Sequence, residues 1–160
     1  MVQQTLDTPD ELIRFQLRTA VTMENDSLAA LKELAAAAPS ADIKKLFRHH
    51  ADETEEQQEN LTKVFEVLEL RQSTAPSPST KGISKQAASL LERSAPSLRD
   101  RVAVAAALGN EHYEIAAYNG LIISLSAVGA SEAVALLQAN LDQETHTSEE
   151  LRKTLQALVS

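Results

Sequence analysis

At 160 residues the chain fits one domain, long enough to bury well over half of its unfolded surface. It has no cysteine, which excludes disulfides, iron–sulfur clusters, cysteine zinc sites and a thiol nucleophile. A net charge of −8 with acidic residues spread along the chain speaks against nucleic acid, and no apolar run approaches the ~20 residues that span a bilayer.

Alanine, leucine and glutamate dominate and aromatics are 3 %, a composition that predicts an all-α fold with an aliphatic core. Met1 to Asp10 is polar, without the apolar segment of a signal peptide, so a cytoplasmic chain is expected. Thr8-Pro9-Asp10-Glu11 reads as a helix start: a threonine cap, proline in the first turn, and glutamate three residues after the cap. Helix A is expected over residues 9–38, stopped by Pro39-Ser40, and helix B over 41–71. Residues 72–97 read as a linker carrying a short helix at 83–94. Helix C is expected over 98–128, ended by Gly129, and helix D over 131–158 behind a Ser131 cap. The whole chain, 1–160, then forms two tight antiparallel hairpins joined by a long connection. That connection either crosses the length of a four-helix bundle, as in ferritin-like folds, or hangs as a loop on an up-down bundle.

Alternating three- and four-residue steps trace a buried seam on each helix. Helix A gives Leu17, Val21, Glu24, Leu28 and Leu31, and helix B gives Ile43, Leu46, His50, Glu53, Gln57, Leu61, Val64 and Leu68. Helix C gives Val104, Ala107, Glu111, Glu114, Tyr118, Leu121, Leu125 and Val128. Helix D gives Val134, Leu137, Leu141, Glu144, Ser148, Leu151, Leu155 and Leu158. Every seam is apolar at its ends and polar in its middle. Glu24 and Glu53 lie 29 residues apart and Glu114 and Glu144 lie 30 apart, each pair roughly centred on a turn. Equal rise per residue in antiparallel hairpins therefore brings all four to one height. His50 and Glu111 sit one turn away on the same faces.

Five carboxylates in one interior slice lose solvation and repel each other, at several kcal/mol per ion. No lysine or arginine stands on the seams at that level, so two metal ions are the expected counter-charge. A carboxylate-rich set with an imidazole suits iron, with manganese as the alternative. The expected metal residues are Glu24, Glu53, Glu111, Glu114, Glu144 and His50. His112, Gln57, Glu56, Tyr118 and Ser148 are supporting groups or further ligands, and His49 and His146 are surface residues. The usual bundle-core pattern of Glu-x-x-His on two helices is not followed: Glu53-Thr54-Glu55-Glu56 and Glu144-Thr145-His146-Thr147 lack the second residue.

The segments His50-Ala51-Asp52-Glu53-Thr54-Glu55-Glu56-Gln57 and Glu111-His112-Tyr113-Glu114-Ile115-Ala116-Ala117-Tyr118 resemble the YciF-type family of ferritin-like metal-binding proteins. Arg99-Asp100 and Leu141-Asp142-Gln143-Glu144 match more loosely, and the resemblance spans residues 10–158. It implies a rubrerythrin-like bundle, often dimeric, with a di-metal site and a link to bacterial stress responses. Phe47, Phe65 and Leu70 are the residues expected to serve a homodimer face. The leading expectation is a di-iron or di-manganese oxidoreductase, peroxidase-like, catalase-like or ferroxidase, whose partners are metal ions and a small oxidant such as oxygen or hydrogen peroxide. No catalytic residue is assigned. The alternatives are a metal-sequestering protein without turnover and a non-catalytic helical interaction module.

Overall fold

The computed structural model describes residues 5–160; part of the polar start, residues 1–4, lies outside them. The described residues form five α-helices and no strand: α1 (Pro9–Ala37), α2 (Ala41–Val67), α3 (Pro78–Glu92), α4 (Arg99–Ala127) and α5 (Ser131–Val159), with a single 3₁₀ turn at Pro96–Leu98. The α1 start is the expected capping box, with Glu11 N–H donating to Thr8 Oγ1 and the Glu11 carboxylate accepting from Thr8 N–H at 3.0 Å.

Four side-chain pairings define the order of the long helices. Asn25 meets Gln58 across α1 and α2, and Asn60 meets Asn140 across α2 and α5. Tyr118 meets Asn140 across α4 and α5, and Ser27 meets Asn110 across α1 and α4. Each neighbouring pair is antiparallel, so α2 and α4 run the same way on opposite corners. The chain must therefore climb the full length of the bundle between them, and the crossover expectation is met.

The linker is not a loose loop. Ala75 N–H donates to Arg18 O at 3.1 Å, Arg18 Nη2 donates to Thr74 O at 3.0 Å, and Thr22 Oγ1 donates to Ala75 O at 2.6 Å. Further on, Thr80 Oγ1 donates to Asp26 Oδ2 at 2.7 Å. These bonds lay residues 74–80 along α1 and deliver α3 against α1 and α4. Here α3 begins at Pro78 instead of 83, because proline at the first helical position takes the place that its linker-like neighbours concealed.

Two apolar clusters fill the interior. One joins Ile13, Leu17, Val21, Leu61, Val64, Phe65, Leu121, Leu125 and Leu137; the other joins Leu31, Leu34, Ile43, Phe47, Val104 and Leu151. Phe47 and Phe65 are thus core residues of the single chain, which corrects their assignment to a dimer face; Leu70 packs partly buried against the first cluster. Seam members Leu28 and Leu46 are only partly buried and Val128 is exposed, while Ser27, Phe47 and Thr54 take interior places that the seams did not include.

Helix α2 ends at Val67, short of the expected 71, through a left-handed residue: Glu69 has φ 55° and Leu70 N–H closes the turn onto Phe65 O at 2.8 Å. Gly129 (φ 76°) makes the corresponding turn between α4 and α5. A glycine marks the second end in the sequence and nothing marks the first. Nothing lies within 4 Å of a Cβ built on Gly129, so the cost of alanine there is backbone strain alone. Gly129→Ala is expected to destabilise the fold by about 1–2 kcal/mol, and Glu69→Gly to stabilise it by up to about 1 kcal/mol, in urea unfolding followed by circular dichroism.

Candidate metal centre

Between the two apolar clusters lies a layer of buried polar side chains. Glu24 on α1, Glu114 on α4 and Glu144 on α5 each bring a carboxylate oxygen within 4.8 Å of the other two. Glu24 is 0 % exposed, Glu114 1 %, and Glu111 and Glu144 3 % each. The leucines above and below exclude water, so each carboxylate keeps only the partners that the protein gives it.

Those partners are few and mostly uncharged. Glu24 accepts a hydrogen bond from the Tyr118 hydroxyl, which in turn accepts from Asn140 Nδ2 at 3.1 Å. Asn140 also donates to Gln57 O at 3.2 Å and accepts from Asn60 Nδ2 at 2.8 Å. Ser27 supports Glu114, and Gln57 supports Glu144 by side-chain hydrogen bonds. Glu24 Oε2, Glu111 Oε2 and Glu114 Oε1 are buried without any partner. Among the described residues no lysine or arginine pairs with these carboxylates.

Burial first, and then the charge of Glu144, push the carboxyl groups of Glu24, Glu111 and Glu114 well above the ordinary range. Burial also raises Glu144, but less, because it accepts hydrogen bonds from Glu111, Gln57 and Glu114. Burial, then the negative charge of Glu24, raises the Tyr118 phenol, which stays a hydrogen-bond donor.

Glu53 stands apart from this group. It is half-buried at the rim, with 17 % of its side chain exposed. Its Oε2 lies 2.9 Å from His50 Nδ1 and accepts from Thr147 Oγ1 at 3.2 Å; His49 Nε2 lies 3.5 Å from Oε1. Burial pushes Glu53 up, but the hydrogen bond and charge of His50, with help from His49 and Thr147, hold its carboxyl below the usual range. It remains close enough for its charge to raise Glu111 and Glu144.

Of the five glutamates expected to share one interior slice, the structure brings Glu24, Glu111, Glu114 and Glu144 together and leaves Glu53 at their edge. His50 is buried but turned to Glu53 through Nδ1, and its Nε2, without a hydrogen-bond partner, lies 3.9 Å from Glu150. As placed, it holds Glu53 in position instead of joining the cluster. His112 and Glu56 are exposed on outer faces, where Glu56 accepts from Gln143 at 3.0 Å. His112 is one residue past the seam position Glu111, and Glu56 one residue before the seam position Gln57, so each side chain turns away from the interior. Ser148 is buried but donates to the carbonyl of Thr145 at 2.8 Å, within its own helix. His49 and His146 are on the surface as expected. Asn140, Ser27 and Thr147 were missed. A buried-layer asparagine next to the Leu137–Leu141–Glu144 seam was the available signal for Asn140, whereas isolated serine and threonine on a helix carry none.

The donor set fits cations. Orphaned buried carboxylate oxygens on α1 and α4, hard carboxylate chemistry on three helices and no pairing lysine or arginine among the described residues all leave the layer short of charge. A four-helix bundle with one full-length crossover and an interior carboxylate layer defines a ferritin-like helical protein. The chain belongs to the family described as a domain of unknown function, DUF892, whose sequence model matches residues 8–160.

The protein YciF of Escherichia coli (strain K12) is 28 % identical over 144 residues, covering 89 % of this chain and 87 % of that one. The crystal structure of that E. coli stress protein superposes with a TM-score of 0.91 at 27 % identity, covering 96 % of this chain and 98 % of that one. A protein of Rhodopseudomonas palustris called YcfI, described as structural, also gives 0.91, at 29 % identity and 95 % and 98 % coverage. Reduced symerythrin from Cyanophora paradoxa shares the fold at a TM-score of 0.70 and 18 % identity, covering 99 % of this chain and 90 % of that one.

The raised carboxyl groups make a sign prediction for metal-free protein. A folded-state pKa above the unfolded value means that the folded chain binds more protons, so its stability falls as pH rises from the ordinary carboxylate value of 4.5 towards the raised ones. Chelator-treated protein is expected to melt progressively lower between about pH 5 and pH 8, and Glu114→Gln to flatten that slope, by calorimetry across the pH series. Glu53 has the opposite sign, but its window lies below 4.5 and does not overlap.

Proposed function

We propose that this protein is a ferritin-like di-metal protein performing stress-related redox chemistry on oxygen or hydrogen peroxide. The observation that carries the proposal is the set of three carboxylate oxygens within 4.8 Å, buried and unmatched by any lysine or arginine among the described residues. Glu24, Glu114 and Glu144 would hold two iron or manganese ions, with Glu111 and Glu53 closing the ends. Bound there, the ions would supply one-electron redox steps and Lewis acidity.

The chain's own residues supply the setting. Tyr118 gives a hydrogen bond to Glu24, and Asn140 fixes the hydroxyl so that its hydrogen points to the carboxylate. His50 and Thr147 keep Glu53 ionised and aimed. Gln57 supports Glu144. Metal entry must displace the protons that the metal-free layer retains, so affinity falls as pH is lowered. Both apolar clusters limit water around the layer. The absence of cysteine removes any internal cysteine-ligated electron donor, so a net reduction would draw on an outside reductant. The link to stress rests on the E. coli relative, which is called a stress protein.

The alternative of metal holding without turnover is separated by two measurements. Chelator-stripped protein incubated with Fe(II) or Mn(II) is expected to retain about two ions per chain by elemental analysis. At a hundredfold excess over Kd its melting point should rise by roughly 10–20 °C, since linkage then contributes about 2.7 kcal/mol for each of the two ions. Glu53→Gln and Glu114→Gln should lose metal. Peroxide consumption above that of free metal supports redox chemistry; stoichiometric binding without it leaves a holding protein; no retained metal sinks both readings.

A further inference from the structure

A pocket of about 210 Å³ opens between α1, α3 and α4 and ends at the carboxylate layer. Its walls are the aliphatic side chains of Leu31, Leu34, Ile83, Ala87, Leu91 and Ala107. At its inner end stand Ser27, Asn110 and Glu111, and nothing but hydrocarbon and the rim residues Ser84 and Glu33 lies outward of them. Asn110 Nδ2 donates to Ser27 Oγ at 3.1 Å, and Ser27 is also engaged with Glu114. Glu111 is 3 % exposed and its Oε2 has no hydrogen-bond partner. Along α1 the pocket extends from Ser27 to Ala37, about 15 Å at helical rise.

We propose that this pocket binds a neutral aliphatic molecule bearing a hydroxyl head, with the chain lying under α3 and the head donating to Glu111 at the edge of the carboxylate layer. Three features select that class. The volume exceeds the ~150 Å³ in which an apolar cavity holds benzene, and so takes a chain of about six to eight carbons. The walls offer a hydrocarbon body no polar partner except at the two ends. The free oxygen of Glu111 accepts a hydrogen bond, whereas no lysine or arginine lines the pocket to compensate a buried carboxylate head. A fatty acid is therefore disfavoured relative to an alcohol of the same length.

The inference deepens the proposed function, since the head group would face the metal residues, but binding to the pocket does not require metal. It also gives α3 a task beyond crossing the bundle: α3 supplies one wall.

The probe is 1-hexanol, titrated into chelator-treated full-length protein by calorimetry, with alanine and leucine methyl resonances followed in parallel. Saturable binding with one site per chain is expected, with shifts confined to α1, α3 and α4. Hexanoate should bind at least about tenfold more weakly, and Glu111→Gln should narrow that difference to about threefold. Ala87→Phe fills the pocket and should abolish binding; Ala106→Leu, a smaller change on the facing helix, should weaken it if the first variant does not fold. Absence of saturable hexanol binding to folded protein overturns the proposal, as does equal binding by the filled variant or by hexanoate. Because metal is stripped throughout, these failures leave the metal reading untouched. Loss of metal stoichiometry would in turn leave the pocket standing.

Discussion

Four acidic side chains packed between two apolar clusters set the terms for the rest of this structure. In water, two carboxylates a few ångströms apart repel by about 1 kcal/mol; in a water-excluded interior the same pair repels several-fold more strongly. The fold does not relieve this with arginine or lysine. It supplies a phenol, amides and hydroxyls, which orient the carboxylates without neutralising them. Protonation relieves the charge in the metal-free state, and raised carboxyl pKa values express that relief. A cation relieves it better, because it also satisfies the orphaned oxygens that a single proton per carboxyl leaves bare. The layer is thus costly to the fold when empty and favourable to cation uptake. Such costs are tolerated where the surrounding packing over-determines the arrangement, and the leucines, valines and phenylalanines on either side do so here.

The same layer explains the topology. Glutamates on α1, α4 and α5 meet at one height only if neighbouring helices are antiparallel and their hairpins are centred on the same level. With α2 and α4 running in parallel, the chain must travel the bundle's length between them. It does so as a docked segment, bonded to α1 through Arg18, Thr22 and Asp26, before α3 begins. The Arg18 bond is exposed and the Thr22 and Asp26 bonds are part-buried; being directional, they fix the register of the segment on α1. Register is what the site needs, because α3 closes the face of the bundle beside Glu111.

Much of this was legible in the residues because the periodicities are strong and the exceptions are concentrated. Glu24, Glu111, Glu114 and Glu144 fall on leucine seams, and a buried seam position overrides the solvent preference of glutamate. Glu53 falls on the same arithmetic yet sits at the rim: α2 is rotated so that Thr54 and Ala51 turn inward beside Gln57. A rotation of one residue is invisible to a pattern that tolerates three- and four-residue steps equally. The same rotation brings Phe47 inside in place of Leu46. His50 is buried as expected, and its Nδ1 faces Glu53 three residues on in α2 itself; Nε2 instead lies 3.9 Å from Glu150 of α5, a neighbour that no spacing within α2 encodes. The early start of α3 and the early end of α2 were hidden for opposite reasons: Pro78 resembles its linker neighbours, and Glu69 adopts a backbone conformation that glycine usually advertises.

The two hairpins are related by nearly equal spacing but not by equal chemistry, and that asymmetry gives the layer a direction. On the α2 and α5 side, Glu53 is ionised, partly exposed at the rim and held by His50, His49 and Thr147. On the α1 and α4 side, Glu24 and Glu114 are fully interior and their neighbours are Tyr118 and Ser27. On the proposed reading, a cation coming from solvent would meet the Glu53 carboxylate before the interior carboxyl groups that must give up protons. The apolar pocket lies on the opposite flank and ends inward at Glu111. A charged species and an uncharged one are therefore offered different approaches to the same carboxylates, one polar and one hydrocarbon. Separating the two in this way requires that α3 cover the α1–α4 face while the α2–α5 face keeps its histidines, which is the division of labour that the crossover imposes on the four helices.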